Sequence, residues 1–75
     1  MSKYRADWST DDGQLHVRDF GSDRKKALDF ARSFSARPAA NDMSHIYVIV
    51  SDGGKDVGQK AYVNGFCDYT DGDWH

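Results

Sequence analysis

The chain has 75 residues, 39% hydrophobic and 29% charged, with a formal net charge of −2. That length allows one small domain, residues 1–75, and argues against a multidomain enzyme, a transmembrane span or a coiled coil; with Cys67 as the single cysteine, no internal disulfide can form. Leu, Ile, Val and Phe are only 13 of the residues, a composition close to disorder, but the small net charge and a 13% aromatic content favour a folded domain with an aromatic core.

In chain order, residues 4–10 alternate Tyr4, Ala6 and Trp8 with Arg5, Asp7 and Ser9, the period of a half-buried strand. Residues 15–20 continue it with Leu15 and Val17 against His16 and Arg18, and Asp12-Gly13 between them is a two-residue hairpin signal. Centring the turn there pairs Trp8 with Val17, Thr10 with Leu15 and Asp7 with Arg18. Ser22 then stands where an N-cap belongs, with Asp23 in the first turn. From Asp23 to about Ala36, the residues Ala27, Phe30, Ala31 and Phe34 form one apolar helical stripe, and Pro38 ends the helix. Residues 38–44 read as a loop.

Residues 45–51 are the most strand-like segment, and Asp52-Gly53-Gly54-Lys55 is the next turn. Residues 57–63 return as a strand with Gly58 as a candidate bulge, and Asn64-Gly65 makes a third turn that sets Val63 opposite Phe66 and Tyr62 opposite Cys67. A short fifth strand follows to about Thr70, and residues 71–75 form a frayed tail unless Trp74 docks. The expected fold is α+β and two-layered: an antiparallel sheet of four or five strands, ββαββ or ββαβββ, with one helix on one face. Tyr4, Ala6, Trp8, Leu15, Val17, Ile46, Val48, Val50, Ala61 and Val63 are expected to meet the helix, and Gln59 falls on that side too unless Gly58 shifts the register.

One helix leaves the second face of the sheet open. Parity assigns it Arg5, Asp7, His16, Arg18, Phe20, Tyr47, Ile49, Lys60 and Tyr62, a mixture of aromatics and charges that reads either as a solvated face or as a docking surface. Charge also divides along the chain, +2 over residues 1–37 and −4 over residues 38–75. The acids after Pro38 include Asp52, Asp56, Asp68, Asp71 and Asp73.

Catalytic chemistry is not legible. Cys67 has no fixed base and reads as a buried or half-buried inert thiol. His16, His45, His75 and Cys67 lack metal-site spacing, Asp68, Asp71 and Asp73 around Gly72 fail the pattern of a calcium loop, and Gly53-Gly54-Lys55 lacks the helix of a phosphate loop. No enzyme activity, cofactor or metal is expected. The absence of an apolar leader run and the lone cysteine point to the cytoplasm, with no membrane association.

The segments GSDRKKALDFARSF, a helix directly after a hairpin, and HIYVIVSDGGKDVG, a hydrophobic strand running into a glycine turn, give the chain a layout that resembles small phage and mobile-element proteins of the anti-CRISPR type. The resemblance is architectural and spans most of the chain. It implies a phage-encoded, non-enzymatic inhibitor in the host cytoplasm that occludes a nucleoprotein complex, with Asp52, Asp56, Asp68, Asp71 and Asp73 as phosphate mimics. The expected function is thus protein binding, with Arg18, Tyr47, Ile49, Tyr62 and those five acids as partner-binding residues and a protein or nucleoprotein complex as partner. One alternative is a single-stranded nucleic-acid module that uses the basic helix and the Tyr-bearing face, which a pI near 5.8 disfavours. Another is an accessory subunit or a homodimeric structural protein.

Overall fold

The computed structural model describes residues 2–10, 12–37 and 43–75. Five strands and one helix follow one another: β1 (Ser2–Thr10), β2 (Leu15–Gly21), α1 (Arg24–Ser35), β3 (Met43–Asp52), β4 (Lys55–Val63) and β5 (Phe66–Gly72). The sheet is antiparallel throughout, in the order β2-β1-β3-β4-β5, so the most apolar strand lies at its centre and β2 and β5 form its edges. The α+β, two-layer architecture expected from the pattern is therefore present, with the fifth strand. The expected loop falls at residues 38–42 outside the described residues, and Met43 and Ser44 belong to β3.

Two tight turns follow directly from their residues. Asp52 pairs with Lys55 across Gly53-Gly54, and Val63 with Phe66 across Asn64-Gly65; all four central residues have positive φ, which Gly and Asn tolerate and which matches the twist of the strands. Tyr62 lies opposite Cys67 as expected. The first hairpin differs. Ser9 pairs with Leu15 and Trp8 with His16, one residue away from the expected register, because the loop is longer than two residues. Gly13 N donates to Thr10 O and Thr10 N to Gln14 O, while the Asp12 carboxylate accepts from Gln14 N and the Thr10 hydroxyl.

The helix starts one residue later than expected. Asp23, not Ser22, is the N-cap, its carboxylate accepting from Lys26 N at 3.0 Å. Its apolar stripe is as read: Ala27 and Ala31 are fully buried, and the small side chains let the sheet approach while Phe30 and Phe34 fill the flanks. At the other end, the buried Ser35 hydroxyl accepts from Gly65 N at 2.9 Å and ties the helix to the β4–β5 turn.

Tyr4, Ala6, Ile46, Val48, Val50 and Tyr62 complete the core from the sheet. The tail also joins it. Asp73 N donates to Val57 O at 2.7 Å, Trp74 packs edge-on against Tyr4 at 5.6 Å, and the Tyr4 hydroxyl donates to His75 O. Gly58 makes this return possible, since a Cβ there would stand 2.6 Å from the backbone of Asp73 and Trp74.

Candidate protein-docking face

The face of the sheet away from the helix is built from two cross-strand rows. One runs Val17, Asp7, Tyr47, Ala61, Tyr69, and the next Asp19, Arg5, Ile49, Gln59, Asp71. Several expected assignments are corrected here. The one-residue slip in the first hairpin turns His16, Arg18 and Phe20 to the helix side, and Leu15 and Val17 stand 70% and 58% exposed instead of in the core. The choice follows from ring packing: His16 stacks on Trp8 at 5.4 Å, and Phe20 meets Phe30 at 5.3 Å. On β4, Tyr62 lies opposite buried Ile46 and Lys60 opposite Val48, so both face the helix side, and Ala61 and Gln59 face outward. Val63, next to Tyr62, likewise leaves the core set.

Of the residues singled out from the sequence, Tyr47, Ile49, Asp56, Asp68 and Asp71 share the open face. Arg18 and Tyr62 do not. Tyr62 is a buried core residue whose hydroxyl is pushed up from the ordinary phenol pKa, first by burial and then by Cys67 nearby. Asp52 and Asp73 lie apart with the docked tail: the Asp52 carboxylate is 3.5 Å from His75 Nε2. Cys67, expected buried or half-buried, is exposed opposite Tyr62 and so on the other side of the sheet from His45.

Charge on this face is uneven. Arg5 donates to both oxygens of Asp56 at 2.8 and 2.7 Å, and its Nε lies 3.4 Å from each oxygen of Asp7. Asp7 Oδ1 is shielded from solvent and, among the described residues, has this ionic contact and no hydrogen bond. Asp19, Asp68 and Asp71 add three more carboxylates, Asp68 within 3.0 Å of His45 Nε2. Among the described residues, Lys3 and Arg5 are the lysine and arginine of the face.

Its centre is aromatic. Tyr47 and Tyr69 flank fully buried Ala61, and the neighbouring Tyr47 side chain pushes the Tyr69 phenol up from its ordinary range. His45 lies beside both rings, 6.0 and 6.2 Å away. Next to them a shallow depression of about 270 Å³ opens over Ile49, with Asp56 and Asp71 on its walls.

Sequence reasoning missed Tyr69, Asp19, Leu15 and Val17. For Tyr69 the obstacle is a bulge: Ala61 pairs with Tyr69 and Tyr62 with Cys67, so Asp68 is an extra residue that puts Cys67 and Tyr69 on opposite faces. Among the described residues no three His, Cys, Asp or Glu side chains gather to hold a metal, and no helix is long and apolar enough to cross a membrane. No protein-family model, curated protein or solved structure matches the chain.

Proposed function

We propose that the protein is a non-enzymatic binding module that docks a basic partner on the open face of its sheet. The observation that carries this reading is the surround of carboxylates, Asp7, Asp19, Asp56, Asp68 and Asp71, about an apolar centre of Tyr47, Ile49 and Tyr69. Tyrosine supplies large, rigid contact area, and a charged rim steers and orients a partner of opposite sign. An acidic face of this kind suits a nucleic-acid-binding partner, whose phosphate sites are basic, which agrees with an inhibitor that occludes a nucleoprotein complex. Asp52 and Asp73 have no part in this reading, since they lie with the tail.

The test is affinity capture with the wild type, with Tyr47→Ala plus Tyr69→Ala, and with Asp56→Asn, Asp68→Asn and Asp71→Asn combined. A partner lost with either variant, more readily at higher salt, and retained by the helix-side variant Lys26→Gln supports the open face. An identical set of captured proteins for all four chains overturns it.

A further inference from the structure

We infer that the groove between α1 and β2, on the opposite side of the sheet, is a binding site for an acidic peptide segment that carries an apolar side chain among its carboxylates. The groove has a volume of about 390 Å³, with Phe20, Phe30 and Phe34 as its apolar wall and Arg18, Lys26 and Arg37 on its rim; Ser33 and Asp29 also line it, the Asp29 carboxylate being held by Lys25 and Arg32. That size is at the lower end of ligand sites and suits one large side chain with its neighbours.

The cations explain the class of ligand. Arg18 Cζ lies 5.6 and 5.1 Å from the ring centres of Phe20 and Phe30, and Arg37 Cζ lies 5.1 Å from that of Phe34. A guanidinium held over a ring by its charge need not use its N–H donors there, and those donors can meet a carboxylate in bidentate geometry. Among the described residues, Arg18, Lys26 and Arg37 have no carboxylate partner, whereas Arg5 holds Asp7 and Asp56, and Lys25 and Arg32 share Asp29. Three unpaired cations around an aromatic wall complement an anion with an apolar body. A nucleobase would have to displace a guanidinium to stack on the covered ring faces, while a carboxylate binds with those stacks intact.

This site is separate from the open face, so its failure and the failure of the proposed function are read independently. The probe is a fluorescein-labelled pentapeptide with phenylalanine between two pairs of aspartates, followed by polarisation and by amide chemical shifts of the ¹⁵N-labelled protein. Saturable binding is expected, with shifts at Phe30, Ser33 and Phe34. Alanine at the peptide centre, or Arg18→Gln in the protein, lowers affinity by about tenfold, and the exposed helix variant Lys26→Gln lowers it by about threefold; a thermal melt shows that each variant is folded. Absence of groove shifts, equal binding of the alanine peptide, tighter binding of single-stranded oligothymidine at the same salt, or a dimer in sedimentation that already covers the groove would each overturn the proposal.

Discussion

Arg5 on β1 and Asp56 on β4 join through two hydrogen bonds of 2.8 and 2.7 Å that pass across the intervening strand β3. The bond from Arg5 is the main reason the Asp56 carboxyl is held below its ordinary value of 3.8, and the same contact raises the Arg5 guanidinium further above its own. A folded carboxyl with a lowered pKa takes up its proton later than the unfolded one as pH falls. Its stabilising contribution is therefore complete above the ordinary value and disappears as pH drops through the folded one. Asp56 is half exposed, so the pair contributes about 0.5 kcal/mol. Urea titrations between pH 2 and pH 7 should show a slightly less stable Asp56→Asn protein at neutral pH and a shallower loss of stability below about pH 4.

The contact between Gly58 and the tail predicts a paired result. Trp74→Ala should cost about 2 kcal/mol, less than a fully buried tryptophan, and shift the thermal midpoint down by roughly 10 °C. Gly58→Ala should produce much of the same loss by expelling Asp73 and Trp74, with a red-shifted Trp74 emission. Combined, the two changes should add far less than their sum, because each removes the same docking.

The register of the first hairpin predicts which residues of β2 matter. Leu15→Lys and Val17→Lys should change stability by no more than about 0.5 kcal/mol. Phe20→Ala, which removes a ring packed on Phe30, should cost about 2 kcal/mol. Denaturation of the three variants distinguishes this register from the alternative in which Leu15 and Val17 face the helix.

The hydroxyl contact between Tyr47 and Tyr69 is visible spectroscopically. Tyr69 resists deprotonation beside the Tyr47 hydroxyl and Tyr62 resists it through burial, so both should ionise late in an ultraviolet titration. Tyr47→Phe should return Tyr69 toward the ordinary phenol range and leave Tyr62 unchanged.

Much of this fold is legible from local chemistry. Gly53-Gly54 and Asn64-Gly65 define their turns, the spacing of Ala27, Phe30, Ala31 and Phe34 defines the helix face, and the alternation of residues 4–8 and 46–50 defines two core strands. The face of β2 is less accessible to such reading. Both of its alternating sets contain large side chains, and a connection of four residues, 11–14, selects the set with His16 and Phe20, whose rings find Trp8 and Phe30. The candidate site divides in the same way. Tyr47 and Ile49 follow from the regular period of β3, whereas Tyr62 and Tyr69 depend on how β4 pairs with its neighbours.

Asp68 gives chain length at one position an unusual authority over the surface. A substitution there alters one carboxylate and its contact with His45, but a β5 that paired Asp68 in regular register opposite Ala61 would set Tyr69 opposite Lys60 and carry Tyr69 and Asp71 through to the side occupied by the helix. Loss of the bulge would thus dismantle the aromatic and acidic display at that edge without changing the identity of any residue. The phase of the strand, as much as its composition, determines what a partner meets.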